Sequence, residues 1–324
     1  MEDLIKIFVQ KHQNLTKNLA SEADFNSSCI DPDPKQEKYI QAYIQTLSEV
    51  INNSKDTTIE GLYETVENIS ENLLKELIIK GTIPKNRICI TIEAISEVMD
   101  KLIHRYISKK IGENLSQLKH QLVTMVNNVY YLTQISNEKI SQRFSKILDN
   151  GARILVYGYN SQILSCLVYS RRLGKKFTVN ISEYNDNDLS KFMYEELKKN
   201  DISCKLIPAV SVAYHLMDID IVLTGADAVC ENGGIINKIG TFTTSICAKN
   251  FKKSLYVITD SLKFLKVYAL DQKDLEQKLT DKYFILEEPI IDYTPPEFIN
   301  MFITDIGIMT PSAISDELIQ LFYN

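Results

Sequence analysis

Glycine is distributed so unevenly along these 324 residues that one kind of backbone cannot serve the whole chain. Gly61, Gly81 and Gly112 are the only three before position 150, and eight follow, beginning with Gly151 and Gly158. A stretch without glycine can run as long helices, whereas one rich in it can take the tight, positive-φ turns that strand ends need. Leu115, Leu118, Leu122, Met125, Val126, Val129 and Leu132 recur at the spacing of one helix face, and no Gly or Pro interrupts residues 113–150. Segments 37–51 and 92–110 lack breakers in the same way, and 59–79 carries only Gly61 near its start. Residues 1–150 therefore read as a helical domain that stops at Asn150-Gly151, with Asp31-Pro-Asp-Pro34 as its best loop.

Beyond Gly151 the pattern changes to short β-branched runs: Arg153-Ile-Leu-Val-Tyr157, Lys176-Phe-Thr-Val-Asn180, Asp218-Ile-Asp-Ile-Val-Leu223, Ser254-Leu-Tyr-Val-Ile258 and Met301-Phe-Ile-Thr304. Helix-like segments separate them. Near-continuously apolar strands that alternate with helices are what a parallel sheet covered on both faces requires, so residues 151–324 are expected to form a Rossmann-like α/β domain. With 44% hydrophobic residues the chain can bury a core of that size.

Several functional classes are disfavoured. The balance of 36 basic against 42 acidic side chains gives a net charge of -6, which supplies no general field for nucleic-acid phosphates. The opening Met1-Glu2-Asp3-Leu4-Ile5-Lys6 lacks the basic and then apolar pattern of a secretory signal, and no segment approaches the length of a membrane span, so a soluble, cytoplasmic protein is expected. Cys29, Cys89, Cys166, Cys204, Cys230 and Cys247 lie far apart, without CxxC spacing, and read as reduced thiols, mostly core packing. His12, His104, His120 and His215 form no metal-ligand spacing, and the sequons Asn14-Leu15-Thr16 and Asn180-Ile181-Ser182 read as chance. No metal and no cofactor is expected.

In an open α/β sheet, ligands sit beyond the carboxyl ends of the strands. Three segments follow predicted strands. Gly158-Tyr159-Asn160-Ser161 is a glycine-relieved turn that opens a helix, whose free amides could hold an anion, although no GxGxxG or GxxxxGK[ST] is present. Thr224 to Thr241 leaves a strand and passes through a Gly-Gly turn into the start of a helix. It carries Asp227 as a possible general acid or base, with Asn237 and Lys238 as a neutral donor and a point charge for a phosphate. An irregular, solvated turn remains the alternative. The carboxyl segment, Tyr293-Thr-Pro-Pro and then Phe302 to Leu318, reads as the last strand and helix, with the helix starting at Thr310-Pro311.

Gly225-Ala-Asp-Ala-Val-Cys-Glu-Asn-Gly-Gly-Ile-Ile-Asn-Lys-Ile-Gly-Thr241 closely resembles the signature shared by initiation factor 2B regulatory subunits and by the isomerases of methylthioribose 1-phosphate and ribose 1,5-bisphosphate. The resemblance covers residues 150–324 well, and the carboxyl segment looks most like that of alpha-type regulatory subunits. The amino-terminal half matches only in helical character and in Thr58-Ile-Glu-Gly-Leu62.

The isomerases of this family use a cysteine after the first strand and an aspartate in the GAD segment. The resemblance places Asp227 at the aspartate and Gly158 at the cysteine. Cys166 is eight residues on, about 12 Å along a helix. An Arg-Gly segment that holds phosphate in the isomerases aligns with Glu60-Gly61, where a carboxylate would repel it. The resemblance thus implies a non-catalytic regulatory subunit of the guanine-nucleotide exchange factor for translation initiation factor 2. It further implies a homodimer, formed through the α/β domain, that joins beta and delta subunits and, through them, gamma and epsilon. Phosphorylated initiation factor 2 would be contacted by the helical domain. The rival readings are an aldose-ketose isomerase with a rebuilt site and a subunit that senses a sugar phosphate. The residues concerned are Gly158, Asn160, Ser161, Asp227, Asn237 and Lys238.

Overall fold

Four long helices follow one another where glycine is scarce: α1 (Pro34–Asn53), α2 (Ile59–Ile79), α3 (Arg87–Ser108) and α4 (Leu115–Ile147). The computed structural model describes residues 6–11, 13, 34–79, 87–110, 114–183, 187–275 and 290–323. Residues 31–33 of the expected loop, His12, Cys29, the sequon at Asn14 and the side chain of Cys89 lie outside the described residues. Within this region α2 packs on α3 and α1 on both, burying Tyr43, Ile44, Leu47, Leu62, Leu73, Ile95 and Met99. The Tyr43 hydroxyl donates to Ser96 Oγ at 2.7 Å, which satisfies a phenol that has lost all contact with water.

The apolar stripe of α4 is buried at Leu118, Leu122, Val126 and Val129, whereas Leu132 is 46% exposed. The compact units are Met1–Gln134 and Ile135–Asn324, so the division falls inside α4 and not at Asn150-Gly151, where the composition changes. Packing supplies the reason. Ile140 and Phe144, on the last turns of α4, and Leu148 just after them belong to the same buried cluster as Ile154, Val156, Leu164 and Val179. Among the described residues no helix is long and apolar enough to cross a membrane.

The second unit continues with β1 (Arg153–Tyr157), α5 (Ser161–Arg172), β2 (Thr178–Glu183), α6 (Asn187–Lys199), β3 (Ser203–Pro208), the single turn α7 (Val212–His215) and β4 (Ile221–Gly225). It then runs through β5 (Ala228–Val229), β6 (Ile235–Lys238), α8 (Thr241–Asn250), β7 (Ser254–Ile258), β8 (Ile291–Thr294), β9 (Met301–Ile303), β10 (Ile308–Met309) and α9 (Pro311–Tyr323). Seven of the strands form one sheet in the order β10-β9-β7-β4-β1-β2-β3, parallel except for the β9–β10 pair. This is the Rossmann-like architecture expected from the β-branched runs. Arg153–Tyr157 and Ser254–Ile258 form strands as predicted, while the strands expected at 176–180 and 218–223 lie two and three residues further on. Asp218, the first residue of the expected strand, instead ends a turn of 3-10 helix, Leu216–Asp218. β3 escapes the apolar criterion because it is the edge strand: half exposed, it carries Lys205 and Pro208. Thr310 accepts at its hydroxyl from Ala313 N (3.3 Å) and at its carbonyl from Ile314 N (3.0 Å), and α9 begins at Pro311 as expected.

If the end of α4 is part of the α/β core, Phe144→Ala should destabilise it by about 3–5 kcal/mol, since an aromatic ring is removed from a fully buried site. Tyr131→Ala, on an exposed position of the same helix, should change stability by less than about 0.5 kcal/mol. Urea unfolding followed by circular dichroism separates the two; equal effects would place Phe144 outside the cooperative core.

Candidate functional site

β1 and β4 are neighbours at the centre of the sheet, so the chain leaving their carboxyl ends converges on one spot. After β1, Gly158 takes φ +65°, a conformation that side chains with a Cβ rarely adopt. Asn160 caps α5, its Oδ1 accepting from Ile163 N at 2.9 Å. The Asn160 side chain also lies so close to Gly225, the last residue of β4, that a Cβ there would collide with it. Ser161 is the half-buried first residue of α5, and its carbonyl accepts from the Ser165 hydroxyl.

The segment after β4 differs from the expected passage into a helix. Ala228–Val229 and Ile235–Lys238 pair as the antiparallel hairpin β5–β6, and β8 adds to β6, making a second sheet of three strands. The turn between them is fixed by Asn232, whose Oδ1 accepts from Gly234 N at 3.1 Å, and by Gly233 at φ +78°. Asn237 and Lys238 therefore stand on a strand, and the helix begins only at Thr241.

Both side chains are buried. Asn237 Nδ2 donates to Thr224 Oγ1 (3.0 Å) and Thr241 Oγ1 (3.1 Å), which ties the hairpin to β4 on one side and to α8 on the other. Lys238 Nζ donates to the Tyr159 carbonyl at 2.5 Å and lies 6.0 Å from the centre of the Tyr159 ring. A Cβ at Gly158 would meet that ammonium at 3.5 Å. The fold thus brings Gly158, Asn160 and Lys238 together at the start of α5. Asp227 is buried two residues beyond Gly225, its amide donating to Ile236 O at 2.9 Å. A buried ammonium next to a helix amino terminus is an arrangement that favours an anion.

Two further residues enter here that the spacing of the sequence does not single out. Lys263, buried after β7, donates from Nζ to the carbonyl of Ala226, immediately before Asp227, at 3.2 Å. Asp292 on β8 lies opposite Asn237 in register, and its Oδ2 accepts from Gly240 N (2.6 Å) and Phe242 N (3.0 Å) at the start of α8. Tyr157 holds the same turn through its hydroxyl, which donates to Ile239 O at 2.7 Å. Gly240 sits at φ +94° with the Tyr157 ring against it, so no side chain fits there. Burial pushes the Asp292 carboxyl up to about 7, against the pull of the amides of Gly240, Thr241 and Phe242, which favour its charged form.

The family model described as the initiation factor 2 subunit family matches residues 36–311. The chain belongs to that family. It is 33% identical over 300 residues to translation initiation factor eIF2B subunit alpha of Dictyostelium discoideum, covering 86% of this chain and 90% of that protein. It is 23% identical over 216 residues to ribose 1,5-bisphosphate isomerase of Archaeoglobus fulgidus, covering 64% of this chain and 69% of that one. A chain of the tetrameric eIF2B-beta2-delta2 complex from C. thermophilum has the same fold, with a TM-score of 0.72 at 17% identity and coverage of 88% and 89%.

Within the initiation factor 2 subunit family this chain is a non-catalytic relative of the isomerases. Cys166 lies inside α5 with no exposure; burial pushes its thiol up to about 12, and it receives a hydrogen bond from the Ser141 hydroxyl at 3.6 Å. It is a packing residue and not a nucleophile. Glu60 is exposed in the first turn of α2, where the Thr58 hydroxyl accepts from Gly61 N at 3.0 Å.

Asp292 makes stability depend on pH in a definite direction. Its carboxyl holds a proton more tightly in the folded chain, so the stability it contributes is complete below about pH 4 and is lost as pH rises through about 7. Asp292→Asn cannot titrate, and urea unfolding at pH 5, 6, 7 and 8 should show the variant gaining on the wild type as pH rises. A gap that stays constant with pH would mean that Asp292 is ionised throughout.

Proposed function

We propose that this chain is an alpha-type regulatory subunit of the guanine-nucleotide exchange factor that acts on translation initiation factor 2, working in the cytoplasm. The observation that carries this reading is the 33% identity to a eukaryotic subunit alpha over most of both chains. It agrees with the strand end at Gly158, where the reaction of the isomerase relatives would need a thiol. The chain acts by contact: it pairs with a second copy of itself, joins beta and delta subunits and through them gamma and epsilon, and helps the assembly engage initiation factor 2 phosphorylated on its own alpha subunit.

An apolar patch on the α/β unit supports self-association. Val210 is 96% exposed, Tyr214 72% and Met217 61%, all within residues 209–218, and α7 in this stretch packs on α8, which exposes Ile246. Large apolar side chains grouped in this way mark a surface that is covered in the assembled protein. Obligate interfaces of this kind bury more than about 2,000 Å² in total. The purified chain should sediment as a dimer at micromolar concentration, and the double change Tyr214→Glu and Met217→Glu should convert it to a folded monomer. A wild-type monomer would remove the basis for the scaffold.

A second reading keeps the pocket as a sensor. The buried Lys238 ammonium, held against the Tyr159 carbonyl just before α5, favours a sugar phosphate bound and not converted. A ligand that binds only the folded chain adds about 2.7 kcal/mol at 100 times its dissociation constant, which a melting curve registers. Ribose 1,5-bisphosphate should raise the melting temperature of the wild type, do so much less for Lys238→Ala, and undergo no aldose-ketose conversion. Turnover that Asp227→Asn abolishes would make the chain an enzyme, and an unchanged melting curve would leave the pocket purely structural.

A further inference from the structure

Beyond the carboxyl ends of β7 and β9 lies a polar cluster that neither partner binding nor the Lys238 pocket uses. β7 and β9 are parallel neighbours, and each is followed at once by a threonine and an aspartate: Thr259-Asp260 and Thr304-Asp305. One turn of chain holds both carboxylates on consecutive amides. Asp305 Oδ1 accepts from Ser261 N at 2.7 Å and Asp260 Oδ1 from Leu262 N at 3.1 Å. The other oxygens accept from Ser261 Oγ (3.0 Å, Asp305 Oδ2) and from Gln162 Nε2 (2.9 Å, Asp260 Oδ2). Adjacent amides set the two acids side by side.

Like charges so close need compensation. Neither acid forms an ion pair among the described residues. Two cations of neighbouring segments are directed to backbone carbonyls: Arg143 Nη1 to that of Asp305 at 2.8 Å, and Lys263 Nζ to that of Ala226 at 3.2 Å. Burial, and then the charge of Asp260, raise the Asp305 carboxyl above its usual range. One more oxygen accompanies the acids. Gln162, only 5% exposed, leaves its Oε1 buried without a hydrogen-bond partner. The orientation of the Gln162 carboxamide is fixed, because its amino group must face the Asp260 carboxylate, and this leaves the carbonyl oxygen as an acceptor with nothing to accept from. Buried polar oxygens of this kind ordinarily have a partner.

We propose that Asp260, Asp305 and Gln162 form a binding site for a hard divalent cation of the Mg2+ or Ca2+ type. The donor set is entirely oxygen, two carboxylates with a carboxamide, and this favours such ions over zinc or copper. Among the described residues no three His, Cys, Asp or Glu side chains come together, so water completes the coordination, as is usual for Mg2+. An ion there would join the start of α5 to the ends of β7 and β9. None of its residues is among those proposed for the Lys238 pocket or the apolar patch.

The test is calorimetric titration of the chelator-treated full chain with MgCl2 and, separately, CaCl2. Saturable binding of one ion per chain is expected, weakened more than about tenfold by Asp260→Asn. Gln162→Met keeps the length of the side chain, removes only its polar atoms and should also weaken binding while the circular dichroism spectrum stays unchanged. Two results would overturn the proposal. Absence of saturable heat up to about 10 mM, beyond ordinary weak Ca2+ sites, would mean that a proton shared by the acids neutralises the pair. Binding that both variants leave intact would put the ion elsewhere.

Discussion

Burial of the central strands dictates where polar chemistry can occur in this protein. β1 and β4 are apolar and inaccessible along nearly their whole length, and their neighbours β2 and β7 leave no edge between them. A polar side chain within such a strand would lose its water without gaining a partner. Polar groups are therefore displaced to the carboxyl ends, where chain turns and helix starts supply donors and acceptors. Thr224, Asn237, Thr241 and Asp292 are hydrogen-bonded there within a few residues of fully buried valines and isoleucines.

The three-stranded sheet is the second consequence. It stands over the carboxyl ends of β1 and β4 and is tied down from several directions: Lys238 to Tyr159, Asn237 to Thr224, Tyr157 to Ile239 and Asp292 to the start of α8. Its outer strand is completed by a side chain, since Gln272 both donates to Tyr293 O (2.5 Å) and accepts from Tyr293 N (2.8 Å). Gly158 faces the Lys238 ammonium and has a backbone conformation that disfavours a side chain.

Much of this was legible from local pattern. Glycine scarcity and helical spacing located α1 to α4, β-branched runs located the central strands, and the segment from Gly225 to Thr241 carried the family resemblance by itself. The helix start at its end was legible, but the hairpin before it was not. Ile235-Ile-Asn-Lys238 has no alternation that would reveal a strand, because both faces are buried, Asn237 and Lys238 included. β3 was missed for the opposite reason, an edge position that tolerates Lys205 and Pro208.

The sequence alone determined the change from helical to α/β architecture, the family and the absence of a cysteine at position 158, all of which depend on residue type and short spacing. Tertiary structure decided that the last turns of α4 pack in the α/β core and that Asp292 meets Gly240 from 52 residues away. It also decided that Gln162 reaches Asp260, 98 residues on. Such pairings leave no periodic trace, because the chain between the partners is free to vary, and only the closing of the parallel sheet brings them into hydrogen-bonding range.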